Sequence, residues 1–431
     1  PDFYDEEKLD AEMRRQFDIC HGCRRCHNLC DAFPRLFDLI DEAESMELDT
    51  VDSKDFKGVV DACTLCDMCF LTKCPYVPPH EFNLDLPHLL LRYRAVEFRK
   101  GQVGFVEKQI SETDRNGKLA GAVAPLANWA TRDGNGLTRP VMEAVTGIDR
   151  AAAVPKFHGK TLTARAKSNA PARNADAPAA GRKAVVYATC FVNYNDPDIG
   201  TDALEVLARN GVETEVVHPA CCGMPKLEHG DINGVAKNAR KVAAALMPYV
   251  EKGYDVVALT PSCSLMLKFE WPLILPEDEI IAKLSAATRD ISEYIVDIAK
   301  NEGLADGLKP LDGGVTVHLA CHARAQNMGQ KAAELLRLIP ESDVDVIERC
   351  SGHGGSWGMM KENFDTAIKV GRPAARRAVE NAKKYVVSEC PLAGMHILQG
   401  MEKLAGKEDD KPAVPERAPH PIQLLAQAYR Q

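Results

Sequence analysis

Residues 184–190 read AVVYATC, and residues 315–321 read VTVHLAC. Each is a short apolar, partly β-branched run that stops on a cysteine, as a buried strand reads when its carboxyl end opens on a loop. Outward from the first run come a helical IGTDALEVLARNG, a strand-like TEVVH, a helical NGVAKNARKVAAALMPYVEKG and a strand-like DVVALT. Outward from the second, KAAELLRLI, DVDVIE, FDTAIKVGRPAARRAVENAKK and YVVSE repeat that order. Short apolar strands alternating with amphipathic helices predict parallel α/β modules. The cysteines make the repeat visible. Cys190 is followed by Cys221, Cys222 and Gly223, then by Cys263; Cys321 is followed by Cys350, Ser351 and Gly352, then by Cys390. Two copies of one α/β unit are expected, residues 183–310 and residues 311–431, the second closing with a C-terminal helix.

The N-terminal part differs. Two dense cysteine runs, CHGCRRCHNLC (20–30) and CTLCDMCFLTKC (63–74), are surrounded by helix-like sequence. DEEKLDAEMRRQF (5–17) reads as an amphipathic helix, and Asp52 or Ser53 as a cap for KDFKGVVDA. PYVPP after Cys74 stops any helix, and residues 88–110 read as one long helix. Residues 1–115 are thus expected to form a small helical domain around its cysteines, with 116–182 as a connecting region. Within it, residues 163–183 hold no Leu, Ile, Val or Phe and read as a linker or mobile loop. The expected fold class is α/β plus a small helical domain.

Composition removes several functions. A chain of 431 residues exceeds one compact core. Its net charge of −9, from 53 basic and 62 acidic residues, gives nucleic-acid binding no electrostatic support. No apolar run nears the roughly 18 residues of a membrane span, and PDFYDEEKLD does not read as a secretory signal. GxGxxG and P-loop patterns are absent, so no nucleotide or flavin site is expected. Fifteen cysteines, an odd number in so long a chain, point to metal-bound thiolates in a reducing compartment rather than disulfides. The expected location is cytoplasmic, with peripheral docking on the inner face of a membrane left open.

Thiolates two residues apart can cap three corners of a cubane from one segment, and the bacterial run C-x₂-C-x₂-C-x₃-C-P sends its fourth cysteine to the other cluster. Cys20, Cys23, Cys26 and Cys30 match that spacing. Cys63, Cys66, Cys69 and Cys74 match it with one added residue, and Pro75 follows. The expectation is one [4Fe–4S] cluster on Cys20, Cys23, Cys26 and Cys74, and another on Cys63, Cys66, Cys69 and Cys30, a two-cluster ferredoxin-type domain. Structural zinc is the competing reading, but it favours separated C-x₂-C pairs. Asp31 stands where the run has proline. In the first α/β module, Cys190, Cys221, Cys222 and Cys263 fall at strand carboxyl ends, where open α/β sheets bind ligands. Isolated buried cysteines would explain one or two of these; four favour a third metal cluster.

Together, CHGCRRCHNLC, CTLCDMCFLTKCP, ATCFVNYN…CCGMP…TPSC and CHARAQNMG…CSGHGG…SECP resemble the iron–sulfur proteins with duplicated cysteine-rich CCG domains. The family includes the B subunit of heterodisulfide reductase and the C subunit of anaerobic glycerol-3-phosphate dehydrogenase, and also relatives whose genes accompany rubrerythrin-like proteins. The resemblance implies an electron-transfer subunit working between a flavoprotein dehydrogenase or rubrerythrin-like partner and a quinone or other acceptor. In heterodisulfide reductase the modules hold five-cysteine, non-cubane clusters that cleave disulfides, so a reductase of disulfides or persulfides is the alternative. Here the fifth position of the first module is Met266. In the second module Ser351 and Ala393 replace cysteines, leaving Cys321, Cys350 and Cys390, with His322 or His353 available to complete a site. A metal-free scaffold is the competing reading of that module.

Overall fold

The computed structural model describes residues 2–405 and 414–431. The chain divides into two units. One is 1–111 with 225–232 and 354–357; the other is 112–224, 233–353 and 358–431.

Among the described residues, the larger unit holds seven short strands in two parallel sheets. In the first, β1 (Lys183–Tyr187) lies between β2 (Glu213–Val217) and β3 (Asp255–Ala258), with β4 (Thr288–Asp290) outside β3. In the second, β5 (Val315–His318) lies between β6 (Val344–Ile347) and β7 (Tyr385–Ser388). All pairings are parallel, and β1 and β5 hold the equivalent central places. Central strands covered on both faces need no polar alternation. Accordingly Ala184 to Tyr187, and Val315 to His318, are buried without a break. The two expected modules are present, each strand-like run forming a strand. β4 was not anticipated: its sequence, Thr-Arg-Asp, carries no apolar signal.

One apolar core serves both sheets, joining Val186, Leu207, Val257 and Ile295 to Val317, Leu335 and Leu425. The last of these sits on the C-terminal helix Pro421–Arg430, which packs on helices Pro197–Arg209 and Lys331–Leu336. That helix is fastened at its end. The Tyr429 hydroxyl donates to the Ala305 carbonyl at 3.0 Å, Arg209 donates to the Tyr429 carbonyl at 3.1 Å, and Arg430 binds Asp202 and Glu205.

Residues 163–183 are not a mobile loop. Part forms the helix Leu162–Ser168, and the rest is a strap bonded to the first module, with Asn174 N–H on the Ala208 carbonyl and Ala179 N–H on that of Asn210. Its alanines bury (Ala177, Ala179) without an apolar signature. Before it come helices Thr113–Ala122, Ala124–Thr131 and Arg139–Thr146; the buried Arg139 guanidinium ties the last two to the 149–152 segment, donating to the carbonyls of Thr131, Asp149, Arg150 and Ala152. On these helices and their connections Leu119, Leu126, Trp129, Leu137, Val141 and Val145 are each at least half exposed.

The smaller unit packs helices Glu6–Cys23, Ala32–Asp41, Lys57–Ala62 and Leu86–Arg99 around Met13, Phe17, Leu36, Ile40, Phe56 and Leu90. Asp5 caps the first helix, and Asp52 accepts from Lys54 N–H, as expected of a cap. The single helix expected over 88–110 is broken. Gly101 adopts φ +77° after Arg99, and a separate helix runs Phe105–Ile110.

Candidate metal centres

In the smaller unit the cysteines come from four segments. Cys20 and Cys23 sit on the last turn of Glu6–Cys23, so that part of the run is helical rather than a loop. The helix stops at Arg24, whose left-handed backbone (φ 52°) turns the chain back toward Cys26. Cys63 ends Lys57–Ala62; Leu65 and Asp67, both left-handed, then wrap the chain to Cys69. From Cys69 a wide-turn segment, Cys69–Lys73, ends with Cys74 N–H on the Cys69 carbonyl at 2.9 Å. Such π-type turns concentrate at functional positions. Arg94 fixes the second loop by donating to the carbonyls of Val60 and Cys63, and Leu65 N–H donates to Cys63 Sγ at 3.4 Å.

Cys20, Cys23, Cys26 and Cys74 line one pocket, with Pro75 and Lys73. The thiols feel each other. Burial, then Cys26, Cys74 and Cys23, raises Cys20 far above the usual thiol range. Burial, then Cys74 and Cys23, pushes Cys26 up to about 11. Cys69 is raised by burial and then by Cys66, Cys63 and Cys30. The thiol neighbours of Cys20 thus include Cys74, and those of Cys69 include Cys30. Four soft sulfurs, none paired as a disulfide, share this pocket, and burial opposes charge on Cys20 and Cys26. A cationic cluster suits that donor set. Among the described residues, no three His, Cys, Asp or Glu side chains close around a single-ion position.

In the larger unit the first module gathers its four cysteines at the carboxyl edge of its sheet. Cys190 follows β1 and opens the helix Cys190–Tyr194, Cys221 and Cys222 follow β2, and Cys263 lies on Pro261–Leu265 after β3. Cys190 Sγ is 3.6 Å from Cys221 Sγ, and Cys263 Sγ is 3.2 Å from Cys222 Sγ. Gly223, at φ +93°, lets its N–H donate back to Cys221 Sγ at 3.4 Å. Donation from Cys190 and Cys222, then from Thr113 and Gly223 N–H, holds the Cys221 thiol well below its usual range despite burial. Met266, at the fifth position, is fully buried.

Several groups around this site have no sequence signature. Asp114 accepts from Cys221 N–H at 2.6 Å and pairs with His218 Nε2 at 2.7 Å. Trp271 Nε1 donates to the Cys222 carbonyl at 3.0 Å, and Asn238 to that of Cys221 at 3.1 Å. These bonds clamp the backbone of the vicinal pair from three separate helices.

The second module repeats the placement. Cys321 opens Cys321–Arg324, Cys350 follows β6, and Cys390 follows β7. Burial raises Cys350 and pushes Cys390 up to about 11, Cys390 having Glu389 and Cys263 as charged neighbours. His322 Nδ1 is 2.8 Å from Ser262 Oγ, and the His353 ring lies 6.1 Å from that of His396.

The family model for the cysteine-rich domain CCG matches residues 184–268 and 315–397. The chain is 29% identical over 328 residues to the C subunit of anaerobic glycerol-3-phosphate dehydrogenase from Escherichia coli (strain K12), covering 74% of this chain and 76% of that protein. It is 27% identical over 229 residues to the B subunit of fumarate reductase (CoM/CoB) from Methanothermobacter marburgensis, covering 52% of this chain and 43% of that protein. With lactate utilization protein A of Bacillus pumilus it shares 29% identity over 186 residues, or 41% of this chain and 75% of the relative.

Proposed function

We propose that this chain, which carries two cysteine-rich CCG domains, is an iron–sulfur electron-transfer subunit. Its relatives are named as subunits of a dehydrogenase and of a reductase, which supports a redox role. Two [4Fe–4S] clusters would be held by Cys20, Cys23, Cys26 and Cys74, and by Cys63, Cys66, Cys69 and Cys30. A third cluster would be held by Cys190, Cys221, Cys222 and Cys263. What most supports the reading is that Cys74 lines one pocket with Cys20, Cys23 and Cys26, while Cys30 is among the thiols that raise Cys69. When bound, such clusters carry single electrons and need no substrate of their own. The protein's part is to hold sulfur in fixed, mostly dry positions. Lys73 and Arg25 put positive charge beside Cys26, which favours its thiolate and draws an acidic redox partner. The donor would be a flavoprotein dehydrogenase or rubrerythrin-like partner, the acceptor a quinone or another carrier. Among the described residues no helix is long and apolar enough to cross a membrane. The exposed apolar side chains from Leu119 to Val145 support peripheral docking at a lipid surface, where a quinone would be met.

One observation favours a second reading, reduction of a disulfide or persulfide at the first module. Hydrogen bonds from Cys190 and Cys222 lower the Cys221 thiol below its usual range, which favours an attacking sulfur. Iron and acid-labile sulfide, measured with low-temperature EPR on anaerobically purified protein, separate the possibilities. About twelve irons per chain, with one signal lost in Cys222→Ala, is the expected result. Cys74→Ala should remove about four irons and the signal of the Cys20 site alone. About eight irons would refute the third cluster and the reductase reading with it, and zinc in place of iron would refute both readings.

A further inference from the structure

We infer that the second module contains a site for one soft monovalent metal ion of the Cu(I) class, between His353 Nε2 and His396 Nε2, beside the thioethers of Met359 and Met395. These four side chains line one cavity of about 10 Å³, together with Gly358, Leu392 and Gln399. That is room for a single water-sized body.

Both imidazoles are buried, at 7% and 5% exposure, and the Nε2 of each has no hydrogen-bond partner. Two such atoms on one cavity are a rare expense in a folded protein. The Ala367 carbonyl hydrogen-bonds to the His396 ring. With Nε2 unpartnered, that bond falls to Nδ1–H, so Nε2 carries the lone pair. Metal-binding histidines are oriented in this way by a carbonyl on the far nitrogen. The ring centroids are 6.1 Å apart. Two rings sharing one ion through Nε2 have centroids up to about 6.4 Å apart, from metal–nitrogen distances of about 2.0 Å and about 1.2 Å from nitrogen to centroid.

The backbone builds this approach. Leu392, Met395, His396 and Gln399 share one face of helix Pro391–Ala405, at helical spacing. The loop that carries His353 is pressed against helix Phe364–Asn381 by glycines. A Cβ on Gly352 would lie 2.0 Å from the Ala367 carbonyl oxygen, and one on Gly371 would lie 2.2 Å from that of Ser351. Gln399 spends its amide on the backbone of Ala151 and Ala153. The cavity lining has neither a carboxylate nor a thiolate, so a divalent ion would bring uncompensated charge into a buried place. Neutral imidazoles with thioethers suit a soft monovalent ion.

The test is anaerobic titration of the full, cluster-loaded chain with Cu(I) buffered by bicinchoninate, read by copper X-ray absorption and by thermal midpoint. The expected result is one equivalent bound, with imidazole outer-shell scattering and a raised midpoint, since a ligand of the native state alone stabilises it. His396→Leu should abolish the imidazole signature. Met395→Leu, which keeps the packing, should weaken binding at least about tenfold while leaving the cluster spectrum unchanged. Copper surrounded by sulfur only, or Met395→Leu protein that binds as tightly as wild type, would overturn the site. Retention of less than one equivalent would leave the cavity holding water only, and would overturn it equally.

Discussion

Asp114→Asn removes one negative charge and no volume at the vicinal cysteines. The carboxylate accepts from Cys221 N–H at 2.6 Å and from His218 at 2.7 Å. Hydrogen bonds to an ionised group contribute about 1.5–3 kcal/mol, against about 0.5–1.5 kcal/mol for neutral ones. Exchanging two of the first kind for two of the second loses about 2 kcal/mol. A second cost follows from the amide. If its oxygen faces Cys221 N–H, its NH₂ faces His218, which must then accept through Nε2 and carry its proton on Nδ1. That nitrogen is buried and has no partner. At 1.36 kcal/mol per tenfold, about 2 kcal/mol means opening of the 218–223 loop roughly 30 times more often. Hydrogen–deuterium exchange with mass spectrometry reads this directly, peptide by peptide. The loop peptide should exchange roughly 30-fold faster, with β1 unchanged because its bonds are elsewhere. The pH dependence has a definite sign. Partners hold the folded Asp114 pKa below its ordinary value, despite burial. Its contribution is therefore fully present above the unfolded value of about 3.9 and is lost as pH falls through the lower, folded one. The variant should lack that acid step. Less than a threefold change at the loop, or equal acceleration in β1, would refute the reasoning.

Two other perturbations have clear directions. Gly352→Ala forces a side chain into the left-handed region (φ +79°) and onto the Ala367 carbonyl, at a cost of about 3 kcal/mol or more. A lowered thermal midpoint with faster exchange in 344–371 is expected; an unchanged midpoint would contradict it. Leu126→Glu with Trp129→Glu should weaken flotation with anionic lipid vesicles at least about tenfold. The iron content should stay constant, and undiminished flotation would place lipid docking elsewhere.

The strands and their terminal cysteines were legible because both signals are local. An apolar run of four or five residues, stopped by a loop, reads alike in sequence and in space, and its repeat confirmed it. The N-terminal cysteine spacing was equally local, although two of those cysteines prove to end a helix. What escaped depends on distance along the chain. Asp114 lies 107 residues before the amide it binds. His396 had no reason to be paired with His353 until a glycine-lined loop and a helix face were brought together. β4 is polar because it is a short edge strand, and the 163–183 strap buries alanines, which look the same in a linker.

The C-terminal helix has a bearing on the order in which the protein is made. Leu425 and Tyr429 belong to the core under β1, and Arg430 is held by Asp202 and Glu205 of the first module. That core therefore stays open at the ribosome until residues 421–430 have emerged, long after Cys190 and Cys222 are outside. The cysteines of the first module wait in an incompletely packed chain throughout, and a cluster held there, as proposed above, would be loaded after synthesis. The smaller unit includes residues 225–232 and 354–357, so its own packing is completed only once those segments have emerged.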